Sequence, residues 1–370
     1  MPNDDPEPTP RTLVICLDGT TNEPETGFTN VARMFDVCVK DHTQLVYYDP
    51  GVGTMGSRAA VTQTGRALTR VAGMVAGFGI RDNIEEAYTW LCQRYRPGDQ
   101  IFVFGFSRGA YTARALTGML RTVGLLHADA VNLVPYALKL YTRSGPNSDS
   151  AEGPADRGAE KEFWKLRNDF RTKFGNPDFP GPFRNTKQVR FLGVWDTVKS
   201  VGWLNLRARF EVARWPFTAN IDNVQTARHA LAIDERRRPF AEYRFAAEAT
   251  ADRDVQEVWF AGVHGDVGGQ CREDSRLPDI ALAWMIDEAH SGGVRVDEKA
   301  YRRMLGVKFG TPLDDEVALG EIVPNTRGWR LAGGWRDRRP RSDDVLHPSV
   351  AHRVEATRHG AQPYRSPFDR

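Results

Sequence analysis

Short apolar runs alternate with longer amphipathic ones from residue 12 to residue 128. The runs TLVICLD, QLVYYDPGVG and DQIFVFGF are compact and bounded by turn residues, which predicts strands. Between them NVARMFDVCVK, IRDNIEEAYTWLCQRY and SRGAYTARALTGMLRTV repeat apolar residues every three to four positions, which predicts helices. Strand, helix and strand in strict turn imply parallel strands joined by crossover helices, and apolar runs without alternation imply burial on both faces of the sheet.

The pattern changes between residues 129 and 187. DAVNLVPYALKLYTR and EKEFWKLRNDFRTKF read as helices around the polar SGPNSDSAEGPADRG, so a helical insertion acting as a lid is expected there. Strand signals return in QVRFLGVWDTV and VQEVWFAGVHGDVGG. The stretch between them, DNVQTARHALAIDERRRPF, reads as a helix, as does PDIALAWMIDEAHS. No internal repeat is present. The expected organisation is a lead-in over residues 1–10, a catalytic domain over 11–290 and an irregular, basic extension over 291–370 packed on the same domain.

Composition narrows the classes. In 370 residues, 50 Lys and Arg offset 48 Asp and Glu, so no strong field marks a nucleic-acid binder, and none is expected as a partner. Cys16, Cys38, Cys92 and Cys271 form no Cys-x-x-Cys pair and read as buried thiols. The start MPNDDPEPTPRT is acidic and proline-rich, unlike a secretory signal, and no apolar run approaches the roughly 20 residues that span a bilayer. The expectation is a soluble chain, cytoplasmic where it is made, with non-conventional export compatible with the sequence.

The strongest chemical signal is FVFGFSRGAYTAR, where Gly105, Ser107 and Gly109 give Gly-x-Ser-x-Gly between a predicted strand and helix. A turn this sharp strains the serine backbone and needs small neighbours, and it presents the hydroxyl at a helix N-terminus. A serine hydroxyl is a weak nucleophile and needs a base and an orienting acid. In an α/β-hydrolase these follow in the order acid, then histidine. Asp196 ends VRFLGVWD and His264 ends VWFAGVH, each at a predicted strand end. His347, in the irregular VLHPSVAHR, is the alternative base.

Five ordered segments, CLDGTTN, GFSRGAYTAR, FLGVWDTV, HALAIDERRRPF and WFAGVHGDVGG, resemble an uncharacterised α/β-hydrolase family that includes the first class of type VI secretion phospholipase effectors. The resemblance runs from about residue 11 to 290, with an echo in HPSVAHR. It implies an α/β-hydrolase-like, mostly parallel sheet with helices on both faces. It also implies a Ser107, Asp196, His264 triad and cleavage of carboxylic esters, with phospholipid acyl esters and peripheral membrane contact in view. No cofactor is implied. Relative to the effectors, the sequence shows no long membrane-anchoring module or secretion-adaptor domain.

The early LVICLDGTT also suits a phosphatase of the haloacid-dehalogenase type, but Cys16 stands where that chemistry needs its nucleophilic carboxylate. As a hydrolase strand end, the segment places Gly19 and Thr20 to offer N–H groups to an oxyanion, with the N–H of Arg108 as the second donor. Asp18 then holds the loop. Two rival readings are a metal-dependent phosphoesterase using Asp18, His264 and Asp266, and a non-catalytic binding protein on a hydrolase fold. Phe210, Trp215 and Phe217 are candidates for an acyl pocket and equally for loop packing. The segment RGWRLAGGWRDRRPR, with Trp329 and Trp335 among arginines, reads as a solvated basic face.

Overall fold

The computed structural model describes residues 10–19, 28–51, 75–143, 157–181, 186–198, 215–246, 253–269, 276–322 and 334–369. Strands β1 (Thr12–Leu17), β2 (Gln44–Asp49), β3 (Gln100–Phe106), β4 (Val189–Trp195), β5 (Val224–Ala232), β6 (Asp254–Phe260) and β7 (Val345–Leu346) form one sheet. Its order is β2-β1-β3-β4-β5-β6-β7, and every neighbouring pair is parallel.

Period-two alternation divides the core. Leu13, Ile15 and Leu17 of β1, with Ile101 and Val103 of β3, pack against α2 (Val75–Arg94), α3 (Arg108–Val123) and α4 (Val134–Thr142). Val14 and Cys16, with Phe102, Phe104 and Phe106, face the other way toward α1 (Asn30–Val37), α7 (Leu277–Gly292) and α8 (Glu298–Leu305). Both faces are therefore covered, as a parallel sheet requires. Helix α1 begins where Thr29 accepts the Ala32 N–H at 3.1 Å. The strand order reverses between β1 and β3, which opens a crevice at the carboxyl edge beside the ends of those two strands. This is an α/β-hydrolase-like fold.

Three expectations need correction. DNVQTARHALAIDERRRPF contains β5, not a helix: its alanines favour helix, but pairing with β4 and β6 buries residues Ala227–Ala232 on both faces. The C-terminal region is not simply irregular, because it supplies α8, the edge strand β7 and α9 (Pro348–Thr357). The described part of the helical insertion packs along α3 and not over the serine. Its helix α5 (Arg157–Phe174) packs on α3 near Gly124, whose added Cβ would lie 2.8 Å from Arg171 Cδ. That is the end of α3 away from Ser107. Residues 144–156 of the insertion, like Thr20, Phe210, Cys271 and Trp329, lie outside the described residues. No helix among the described residues is long and apolar enough to cross a membrane.

Candidate active site

Ser107 sits between β3 and α3 with φ 57° and ψ −121°, a conformation that L-residues avoid. Space explains the flanking glycines: a Cβ on Gly105 would meet Gly109 O at 2.5 Å, and one on Gly109 would meet Leu17 O at 2.2 Å. The chain crosses itself there at distances only a hydrogen permits. The Ser107 N–H donates to Trp195 O at 3.1 Å, which ties the elbow to the end of β4.

Directly after β4 comes Asp196, fully buried and also at positive φ, 38°. Two of the three non-glycine residues with positive φ among the described residues thus belong to the predicted triad. Strain concentrated this way marks a site where geometry is held for a purpose. Past β6 the chain turns through Ala261 and Val263, and His264 opens the one-turn helix α6 (His264–Gly268) rather than ending the strand.

His264 Nδ1–H donates to Asp196 Oδ2 at 2.5 Å. Its ring lies 4.6 Å from the ring of Phe106, the residue before the serine, and 5.0 Å from that of Phe240. The carboxylate takes Nδ1, so Nε2 is the nitrogen left to exchange a proton with a hydroxyl. Burial alone would push the Asp196 carboxyl up, but Arg338 and His264 beside it hold it well below the usual carboxylate range.

Asp18 holds the loop after β1, as its position suggests. Oδ1 accepts the Gly19 N–H at 2.7 Å, and Oδ2 accepts the hydroxyls of Thr29 at 2.5 Å and Tyr48 at 2.8 Å. This corrects the oxyanion expectation for Gly19, whose N–H is already engaged. The Gly19 backbone still lies against the serine, since its added Cβ would be 3.3 Å from Ser107 Cβ. Arg108 opens α3, so its N–H belongs to the first turn, where helix donors lack intrahelical acceptors. Burial lowers its guanidinium to about 10.

The phosphoesterase set does not assemble as ligands. His264 Nδ1 is committed to Asp196, Asp266 accepts the Val263 N–H at 2.9 Å as a helix cap, and Asp18 is engaged as above. Among the described residues no three His, Cys, Asp or Glu side chains come together as a metal-holding group.

His347 is a helix cap. Its Nδ1 accepts the Ser349 N–H at 3.3 Å, its ring stacks on Phe260 at 4.7 Å, and burial pushes its imidazole down to about 4. It bonds neither Asp196 nor Ser107.

The aromatic candidates are displaced from the serine. Trp215 is core, 5.7 Å from the Tyr141 ring. Phe217 packs with Phe163 and Trp164 of α5 and lies under Arg121. Both approach α3 near Gly118, whose added Cβ would meet Pro216 O at 2.8 Å. Eleven residues of helix put that point roughly 16 Å from Ser107 along the axis. They do not form an acyl pocket beside it.

Two functional residues were missed in the sequence. Arg338, inside the segment read as a solvated basic face, is buried and bonds Asp196 with Nη1–H to Oδ1 at 2.5 Å and Nη2–H to Oδ2 at 3.1 Å. Nothing in its spacing distinguishes it from the neighbouring arginines. His229 of β5 is also fully buried and supports the turn after Asp196. Its segment carried a signal, but the helical reading pointed the side chain nowhere in particular.

A strained serine elbow at the carboxyl edge of a parallel sheet, with an aspartate and a histidine paired beside it, defines an α/β-hydrolase-like protein. Residues 11–288 match the family described as T6SS, Phospholipase effector Tle1-like, catalytic domain, and the chain belongs to that family. An uncharacterized protein of Saccharomyces cerevisiae, YEL023C, is 30% identical over 243 residues, 64% of this chain and 33% of the yeast protein. The solved Tle1 effector bound to the VgrG spike of the type 6 secretion system aligns with a TM-score of 0.39 at 18% identity, over 70% of this chain and 51% of that one. An uncharacterized protein from Pseudomonas aeruginosa gives 0.40 at 15% identity, covering 97% and 56%. The butyrate-bound esterase Est2 of Thermogutta terrifontis gives 0.35 at 12% identity, covering 77% and 84%. The chain thus spans about a third of the yeast relative and about half of the Tle1 chain.

Proposed function

We propose that this chain is a serine hydrolase that cleaves carboxylic esters, with phospholipid acyl esters as the substrate class. The observation that carries the reading is the His264 Nδ1 to Asp196 Oδ2 bond of 2.5 Å, set beside a serine held at φ 57°. His264 Nε2 takes the Ser107 proton as Oγ attacks the ester carbonyl. The Arg108 N–H supplies one donor to the oxyanion, and the segment at Thr20 supplies the second. The protonated His264 gives its proton to the leaving alcohol. Water deprotonated by the same nitrogen then releases the acid and restores the serine. Asp196 stays ionised throughout and stabilises the imidazolium that forms twice per cycle.

Membership of a phospholipase effector family supports the lipid substrate, and the displaced aromatics Trp215 and Phe217 do not contribute to it. The test is labelling by a fluorophosphonate probe, together with fatty-acid release from glycerophospholipid vesicles. Labelling is expected in the wild type with chelator present and absent from Ser107→Ala, with turnover falling by about 10⁴-fold or more. Chelator-sensitive turnover that survives Ser107→Ala would overturn the serine mechanism. Ester turnover peaking at acetate with no fatty acid released would leave the serine chemistry and remove the lipid.

A further inference from the structure

The family match ends at residue 288, yet Asp196 is completed by a residue fifty positions beyond it. Arg338 presents both terminal nitrogens to both carboxylate oxygens, at 2.5 Å and 3.1 Å. The same nitrogens also donate to Ala232 O at 2.9 Å and Phe240 O at 2.5 Å, which anchors the guanidinium to the ends of β5 and the following turn. The side chains of Arg338 and Asp196 are 2% and 0% exposed, so solvent cannot substitute for either. The remaining bond to Asp196 Oδ1 comes from the Ala232 N–H at 3.0 Å.

We infer that Arg338 is a positioning residue of the triad: its guanidinium fork fixes the Asp196 carboxylate in place and as an anion, and thereby sets how readily His264 takes a proton. Two effects follow from the geometry, and this inference rests on the serine-hydrolase reading above. A planar fork matched to a carboxylate restricts the rotation that would otherwise swing Oδ2 away from His264 Nδ1. A fixed positive charge on the far side of that carboxylate also offsets part of the field that favours imidazolium.

The other charges around His264 and Arg338 come from the β5–β6 connection and from α6. Glu235, after β5, accepts the His264 N–H at 3.2 Å and is itself paired with Arg237 at 2.8 Å. Asp266 lies on α6, engaged with the Val263 N–H. Glu242 lies 3.8 Å from Arg338 Nε. Glu235 and Asp266 keep these partners when Arg338 is replaced by methionine, whereas Glu242 loses its pair, so the charge-keeping R338K serves as the control for the change at His264.

The experiment compares the full-length wild type with R338K and R338M, measuring the pH dependence of fluorophosphonate inactivation and steady-state kinetics on a soluble p-nitrophenyl ester. The inactivation midpoint does not depend on what fraction of a sample is folded. For R338M the acid limb is expected to move up by about one pH unit or more, because the Asp196 charge is no longer offset and burial makes that carboxylate easier to protonate. Its kcat should fall about 10- to 100-fold with KM changed much less. R338K keeps the charge and loses the fork, so its midpoint should stay near wild type while kcat falls. If R338M yields no soluble protein, R338K decides alone, and wild-type kcat in R338K would overturn the inference. An unmoved acid limb in R338M would overturn it equally. A wild type that the probe does not label at Ser107 would instead overturn the reaction on which the inference rests.

Discussion

His229 Nε2 accepts the backbone N–H of Thr197 at 3.2 Å, immediately behind Asp196, while its Nδ1–H donates to Glu257 Oε1 at 2.9 Å. The ring is fully buried and neutral, since an imidazolium has no lone pair to accept with. Burial lowers its proton affinity despite Glu257, and Arg114 opposes protonation further. His229→Ala leaves the Thr197 N–H buried without its acceptor, while Glu257 keeps Arg244 and the Phe245 N–H. The expected cost is about 1 to 3 kcal/mol in chemical denaturation, with kcat reduced because the Asp196 turn loosens. Wild-type stability would show that the turn holds itself.

Ser107→Gly should abolish turnover and raise stability. Glycine adopts φ 57° and ψ −121° freely, whereas a serine there costs of the order of 1 to 3 kcal/mol, of which the more flexible unfolded chain returns part. A net gain of about 1 kcal/mol in the denaturation midpoint is expected. A loss would mean the elbow is not a reservoir of strain.

His264→Ala should remove turnover by several orders of magnitude, and His347→Asn should leave it near wild type, because asparagine can still cap α9. The two also differ in stability against pH. Burial lowers the His347 imidazole from 6.5 to about 4 in the folded protein. The unfolded chain therefore binds the proton first, and stability that is complete above pH 6.5 is lost as pH falls toward 4. His347→Asn should lessen that decline by roughly 2 to 3 kcal/mol in urea titrations at the two pH values. An identical slope in both proteins would show that His347 titrates normally.

Asp18→Ala removes the acceptor of the Gly19 N–H and of the Thr29 and Tyr48 hydroxyls. A loss of about 1 to 3 kcal/mol is expected, with a fall in kcat because the loop beside Ser107 is released. Full activity with vesicles and soluble esters would separate Asp18 from the reaction.

The sequence by itself determined what local pattern and local sterics can encode. Apolar runs between amphipathic ones specified β1 to β4, β6 and most helices, and the glycines at 105 and 109 specified the elbow, because only a backbone crossing within about 3 Å needs both. Asp196 and His264 were legible as polar residues closing apolar strand runs. What lay beyond the chain's local logic came from tertiary structure. The alanine-rich β5 reads as helix until neighbouring strands bury both its faces. Trp215 and Phe217 look like pocket residues until the distance along α3 separates them from Ser107, and the Gly19 N–H looks available until Asp18 accepts it. Arg338 is one of 50 basic residues, and only folding brings its fork to a carboxylate 142 positions away. Desolvation makes the difference: in water a guanidinium contact adds little, but around a carboxylate with no exposure it decides both the position and the charge of the acid that orients His264.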